Sequence, residues 1–339
     1  MRIINGISPV SLQSTRDLTN ELVKLGHKAD SVVYKSNALL NNLEDKNLNI
    51  NLGCYHMYPI YFFRVLRFFI VSLFKYDVFH FHFAYSLLPY NLDLPILKFF
   101  GKQIFMEYHG TDIRYKINEI NNGHIIKNNN TKYKKKSFKR QKRIKKFVDG
   151  IFVHDNELKS NLVDQCSKTY LLPLRIDLSR FKNIEVRNER LVILHAPSKR
   201  TVKGSEYIEH IINDIRIHYD IEYIMINNMN YNEAISNYEK ADIIIDQMII
   251  GAYGMLSIEG MALGKCVVCY LEEGNLFDDS NPLCNTKISD LKSCLIRLIE
   301  DPDLRKQYGI NGRKYVENYH SSDKVAKLAL NYYKNCKGV

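Results

Sequence analysis

Lys199, Arg200 and Lys203 close an apolar run, Leu191–Ala196, with no acid among them. Three cations at the end of a strand can hold a diphosphate. Further along, Gly251 and Gly254 interrupt the chain between two more apolar runs, Ile243–Ile245 and Cys266–Tyr270. A helix beginning near Gly254 would aim the first free N–H groups, of Gly254, Met255, Leu256 and Ser257, at a bound anion. Glu259 falls just over one turn into that helix. A carboxylate is repelled by phosphate, so its partner is a sugar hydroxyl, from which it accepts. Phosphate on the amides and a hydroxyl on the glutamate together describe a nucleotide. Asp246 and Gln247, closing the strand before the glycine loop, border the same place. In the first half of the chain, Val78–Phe83 alternates aromatic and histidine and carries His82 near its end. Another run closes on Tyr108-His109-Gly110-Thr111-Asp112. Ligands of open α/β sheets sit beyond such carboxyl ends.

Elements of two periods position these residues. Strands are expected at 2–7, 29–34, 78–83, 103–108, 151–154 and 169–172. A second series follows at 191–196, 222–226, 242–246 and 265–270. Amphipathic stretches fill the gaps, and three helices, 288–300, 302–319 and 322–333, form the tail. Alternating βα units on both sides of a polar connector, 177–190, predict two doubly wound domains facing across a cleft. Their expected spans are 1–177 and 190–319, with the helix 320–339 packing back on the first. Gly6-Ile7-Ser8-Pro9 is read as a tight turn after the first strand. Asp301-Pro302-Asp303 is read as a helix cap with proline in the first turn, and no metal site is expected. Seven scattered cysteines, with Cys266 and Cys269 inside a strand, suit a reduced compartment. No leader is read at the N-terminus, so a cytoplasmic protein is expected.

The formal net charge is +11, and Lys127–Lys146 alone carries eleven basic residues and no acid. Such a run seeks polyanions. Its few aromatics and the lack of a binding module around it argue against nucleic acid. Anionic lipid at the inner face of a membrane is the expected partner, and Lys127–Lys136 reads as disordered. Tyr61–Ile70, aromatic with Arg64 and Arg67 between, reads as a core helix with snorkelling arginine stems.

The chain resembles the family-four glycosyltransferases, retaining enzymes of the GT-B fold. The residues carrying the resemblance are Leu18, Leu22, Gly26 and His27; Tyr76–His82; His109–Asp112; Lys203-Gly204; Glu259–Lys265; and Asp301–Arg313. It implies transfer of a hexose or N-acetylhexosamine from a nucleoside diphosphate sugar, with UDP favoured and no cofactor or metal. The acceptor implied is a hydroxyl of a glycan or lipid-linked molecule in cell-surface polysaccharide or glycolipid assembly. By the same resemblance Lys203 with Arg200 or Lys199 grips the diphosphate, and Gly254–Ser257 cap it. Glu259 takes the ribose, and His109 stands beside the transferred sugar. Gly6 belongs with the donor residues; His82, Thr111 and Asp112 face the acceptor. The chain departs from the family pattern at Gly251, where a second glutamate is usual and Asp246 or Gln247 must substitute. It also departs at Ser198, in place of arginine, and in the turn Pro173-Leu174-Arg175-Ile176-Asp177. An inactive scaffold subunit, a same-fold epimerase and a polyanion-binding protein are the competing readings.

Overall fold

The computed structural model describes residues 1–8, 13–35, 46–51, 53–121, 124–163, 168–182, 188–227, 229–275 and 280–336. Two compact units emerge. Met1–Tyr115, Asn130–Arg175 and Ser322–Val339 form one; Lys116–Asn129 and Ile176–Ser321 form the other.

The first unit begins with β1 (Arg2–Ser8), α1 (Gln13–Lys24), β2 (Lys28–Val33) and β3 (Lys46–Asn47). It continues through α2 (Tyr58–Lys75), β4 (Val78–His82), α3 (Asp93–Phe99) and β5 (Gln103–Glu107). A hairpin, β6 (Lys116–Asn121) and β7 (His124–Asn129), belongs to the other unit. The chain then returns with α4 (Thr131–Lys145), β8 (Gly150–Val153), α5 (Asn156–Ser160) and β9 (Thr169–Leu171).

The seven strands run in the order β3-β2-β1-β4-β5-β8-β9 with parallel pairing throughout. Side chains alternate across the sheet. In β4, Phe79 and Phe81 join a core with Val65 and Phe69 of α2 and Leu94 and Leu97 of α3. Val78 joins the opposite core, with Leu18 and Leu22 of α1. The strand order reverses between β1 and β4, which opens a crevice at their carboxyl ends.

Three expectations for this unit are corrected. Gly6 is not in a turn: it lies inside β1, paired with Val32 and Phe81. Its φ is +126° and a Cβ there would stand 2.3 Å from the Val32 carbonyl oxygen, so strand packing alone demands glycine. The Pro9 of that expected turn lies outside the described residues. The stretch expected to be disordered instead completes β7 and begins α4, whose N-terminus is capped by the Asn130 side chain accepting from the Tyr133 N–H at 2.9 Å. The aromatic helix is not a core helix either. In α2 only Val65, Phe69, Ser72 and Leu73 are buried, while Phe63 and Phe74 are 68% and 71% exposed.

The second unit contains β10 (Leu191–His195), α6 (Arg200–Lys203), α7 (Ser205–Ile215), β11 (Ile221–Met225) and α8 (Tyr231–Lys240). After these come β12 (Ile243–Ile245), α9 (Met255–Ala262), β13 (Cys266–Cys269), β14 (Cys284–Asn285), α10 (Leu291–Glu300) and α11 (Pro302–Tyr319). Its sheet, β11-β10-β12-β13-β14, is also parallel and reverses between β10 and β12. Asp301 caps α11 by accepting from the Leu304 N–H at 2.8 Å, with proline in the first turn. The last helix, α12 (Ser322–Asn335), returns to the first unit. There Val325, Ala326, Ala329, Leu330 and Tyr333 share a core with Leu18 and Leu22. Among the described residues, no helix is long and apolar enough to cross a membrane.

Candidate functional site

Each unit gathers polar groups where its strand order reverses. In the second unit, Asp246 follows β12 and is fully buried. One carboxylate oxygen accepts from Lys203 Nζ at 2.6 Å. The other accepts from the Gly254 N–H at 2.9 Å and the Ser257 hydroxyl at 2.7 Å. Burial alone would raise this carboxyl; Lys203, Ser257 and the Gly254 amide outweigh it and hold it below the ordinary carboxylate range. Short helix α6 ends at Gly204 in the left-handed region, which lets the chain turn sharply into α7 and leaves Lys203 facing β12.

Helix α9 starts at Gly254, and its first intrahelical bond in this region is Ile258 N–H to the Gly254 carbonyl at 3.3 Å. The amides of Met255, Leu256 and Ser257 therefore precede the helix ladder, as donors for an anion would. Glu259 lies one turn further, 5% exposed, with Oε1 accepting from the Tyr231 hydroxyl at 2.8 Å. Tyr231 is invisible to a reading of the sequence, since nothing in a lone tyrosine at the start of α8 predicts that it orients a glutamate. Arg180 lies over the Tyr231 ring at 5.7 Å.

Other expected donor residues are engaged elsewhere. Arg200 pairs with Glu209 across the turn from α6 to α7, and its guanidinium is also 2.6 Å from the Met225 sulfur. Lys199 is exposed and caps α6 without a side-chain bond. Gln247 donates to the Ala252 carbonyl. Gly251 has a φ of +82°, and a Cβ there would lie 2.9 Å from Glu272 Cβ and 3.3 Å from Glu272 Oε2. A carboxylate thus stands beside Gly251, brought there from the segment after β13. His195, at the end of β10, bonds the Ile245 carbonyl and the Ser205 hydroxyl, both at 2.8 Å, and ties α7 to the sheet.

The first unit holds a chain of histidines. His82 Nε2 lies 2.8 Å from Asn5 Oδ1, and His82 Nδ1 lies 2.8 Å from His109 Nε2. His109 Nδ1 lies 3.1 Å from His154 Nε2, and His154 Nδ1 is 3.2 Å from the Leu172 carbonyl. Asn5 is fixed by donating to the Thr15 carbonyl and the Thr19 hydroxyl, so its oxygen must accept from His82. Both ends of the array are therefore oxygen acceptors. Proton positions assigned from this network give three neutral rings three N–H groups for four contacts. One contact lacks a proton until a fourth enters. Burial pushes all three rings below the ordinary imidazole range, His154 to about 4. Only His109 of the three is partly exposed.

Behind this array lies a buried ion pair that a reading of the sequence misses. Arg175 and Glu107 are both inaccessible and joined by two bonds, at 2.7 and 3.0 Å. Burial raises the Glu107 carboxyl, but Arg175 and the histidines overcome this and hold it well below the ordinary range. A single acid closing Ile104-Phe105-Met106-Glu107 is the available signal. His80 Nε2 stands 3.0 Å from Glu107, and its Nδ1 2.7 Å from the Tyr333 hydroxyl of α12. Donor atoms of His80, His82 and Glu107, and of Glu107, His109 and His154, lie within 4.8 Å of one another, close enough for a metal ion. Arg175 already supplies the charge that both oxygens of Glu107 need.

Asp112 accepts from the Gly110 N–H at 2.8 Å and more weakly from that of His109, and burial pushes its carboxyl up to about 6. Thr111 is exposed, and its carbonyl accepts from the Tyr133 hydroxyl. His82 is wholly buried, so it reaches any ligand only through His109.

No protein-family model matches the chain, and no curated protein matches it by sequence. Solved structures do match. Sucrose-phosphate synthase from Thermosynechococcus elongatus gives a TM-score of 0.68 at 14% identity, over 98% of each chain. HepE from Anabaena, in complex with UDP and glucose, gives 0.66 at 10% identity over 99% of this chain and 100% of that one. The N-terminal domain of trehalose-6-phosphate phosphatase from Candida albicans gives 0.62 at 8% identity, over 100% and 97%. These likenesses establish the GT-B fold, with a Rossmann-like parallel sheet in each unit.

Proposed function

We propose that the protein is a glycosyltransferase that moves a sugar from a nucleoside diphosphate sugar to an acceptor hydroxyl. The observation that carries this is the cluster at the β10/β12 reversal. A lysine stands opposite a helix N-terminus there, and one turn on, a glutamate is oriented by a tyrosine. In transfer, negative charge grows on the departing diphosphate, and pre-set donors stabilise it most where water is excluded. Lys203 and the amides of Met255–Ser257 are the donors; Asp246 holds Lys203 and Ser257 in place until the anion arrives. Glu259 takes the ribose hydroxyls. Glu272, whose side chain lies beside Gly251 and accepts from Asn275 Nδ2 at 3.3 Å, is the carboxylate proposed for the donor sugar, at the place where the resemblance leads one to expect a glutamate. UDP is the favoured carrier, because two of the similar structures are complexes with UDP and glucose or with UDP-glucose. Assignment to the retaining family four rests on the sequence motifs, as does an acceptor on a glycan or lipid. Location at the inner face of a membrane rests on the basic run.

The test is thermal stability across nucleoside diphosphates. A ligand that binds only the folded state raises the melting temperature. UDP should give the largest rise, and Glu259→Gln should reduce it. A flat response to every nucleotide contradicts the reading, and leaves a scaffold that has the fold without the activity.

A further inference from the structure

Two cavities of the first unit meet at α4. One, about 760 Å³, has walls of Tyr34, Tyr61, Phe62, Val65, Leu88 and Tyr90. Its volume is that of a small-molecule site, which runs from about 300 to 1,000 Å³. Its remaining edge is cationic: Lys136, Lys139, Arg140 and Arg143. These four occupy positions i, i+3, i+4 and i+7 of α4, so one helix face presents them all. The second cavity, about 340 Å³, is mixed: Thr111, Asp112, Tyr133 and Ser137 share its wall with Phe83 and Tyr85. Tyr85, Lys136 and Arg140 line both, so two of the four cations stand on the boundary between the apolar chamber and the mixed one.

Among the described residues none of the four cations forms an ion pair, although the Asp112 carboxyl lies near enough to Arg140 to feel its charge. Arg140 donates to the Asp112 carbonyl at 2.8 Å and Arg143 to Asn91 Oδ1 at 3.1 Å, both uncharged acceptors. Arg143 Nε is buried with no acceptor. Neither Lys136 nor Lys139 has a carboxylate partner among the described residues. The backbone is also strained here. Five non-glycine residues have left-handed φ among those described, and four of them, Phe83, Ala84, Tyr90 and Asn91, line the two cavities. Such strain gathers where ligands bind.

We propose that this double cavity binds a single-chain lipid phosphate as the sugar acceptor. Its hydrocarbon chain lies in the aromatic chamber, its phosphate or diphosphate sits on Lys136, Lys139, Arg140 and Arg143, and a sugar linked to that phosphate enters the smaller chamber beside Asp112, where its hydroxyl oxygen bonds the donor's sugar carbon as the nucleoside diphosphate leaves with the old bond's electron pair and the hydroxyl's proton. The occupant must be amphiphilic, because neither an anion nor a hydrocarbon alone satisfies both walls. The proposal rests on the transferase reading for the word acceptor, but the binding site stands on its own geometry.

The test is calorimetric binding of farnesyl phosphate, farnesol and inorganic pyrophosphate to the full chain without any nucleotide. Farnesyl phosphate should bind at least tenfold tighter than either of the others. The double variant Lys136→Gln/Lys139→Gln should lower its affinity at least tenfold and leave that of farnesol unchanged. Phe62→Glu should weaken both chain-bearing probes and spare pyrophosphate. Pyrophosphate binding as tightly would reduce the site to an anion patch, and farnesol binding as tightly would reduce it to an apolar groove. Binding to phosphatidylglycerol vesicles that excess farnesyl phosphate does not displace would make it a membrane-docking face; each result overturns the proposal. The UDP thermal shift, measured on the same variants, separates the two readings. If UDP binds and the lipid phosphate does not, the lipid site fails and the transferase survives. If the lipid phosphate binds and UDP does not, the lipid site survives and the transferase fails.

Discussion

Asp246 and Glu107 are both buried, yet each is held ionised by a cation and hydrogen-bond donors. Removing one partner of such a pair leaves an uncompensated charge and costs about 3–5 kcal/mol. Arg175→Met should therefore lower unfolding free energy by about that amount in urea titration; a loss below about 1 kcal/mol would show that water reaches Glu107. Lys203→Ala strands Asp246 as well as removing a cation from the diphosphate, so it should slow turnover on the order of a hundredfold or more. Lys203→Ala/Asp246→Asn should regain stability but not activity, which separates the structural from the catalytic role of the lysine. The sequence exposes Lys203, Gly254 and Glu259 because their types and spacing carry the signal. It hides Tyr231 and Arg175, whose partners are remote in sequence, and it cannot show that Arg200 turns toward Glu209. The histidine array has a spectroscopic signature. His154 should not titrate between pH 8 and 5.5 in an NMR series, since burial places its midpoint at about 4. A midpoint near 6.5 would mean that the array is open to solvent.

Element boundaries are legible wherever one period dominates. The Ile243–Ile245 run and the span 302–319 become β12 and α11 with the expected limits to within a residue. Failures come where composition speaks louder than pattern. Charge makes Lys127–Lys136 look disordered, but Asn130 caps α4, and Ser137, Gln141 and Ile144 give that helix a buried stripe. Apolar residues make α2 look like core, although a helix apolar nearly all round cannot bury every face against one sheet. Gly6 suggests a ligand by its type, whereas its backbone requires it. Gly6→Ala should be severely destabilising, because the strand pair must part to admit a Cβ 2.3 Å from the Val32 oxygen. Recovery of soluble, natively melting protein from this variant would contradict that account. By contrast Phe63→Ser, on the exposed face of α2, should change stability by no more than about 0.5 kcal/mol.

For the whole molecule, the buried histidines set the acid limit. His80, His82, His109, His154 and His195 all have lowered affinity for protons in the folded state. The unfolded chain therefore binds more protons below about pH 6.5, and stability falls as pH drops through that window. Asp93, Asp112 and Asp155, all raised by burial and the last two to about 6 and about 7, work in the opposite sense but are fewer. The urea midpoint should be lower at pH 5 than at pH 7, and an unchanged or higher midpoint would show that the acids prevail. The two-domain plan is readable because βα alternation resumes after a polar connector. The contribution of α12 to the first core depends on contacts between chain ends, which no local pattern records. Release of UDP from a UDP-sugar, with and without a lipid-phosphate or glycan acceptor, measures sugar transfer directly. Release should rise with acceptor concentration, accompany a sugar-bearing product, and be lost in Lys203→Ala. Release that ignores the acceptor, or recovery of an epimerised UDP-sugar with no transfer, would contradict it.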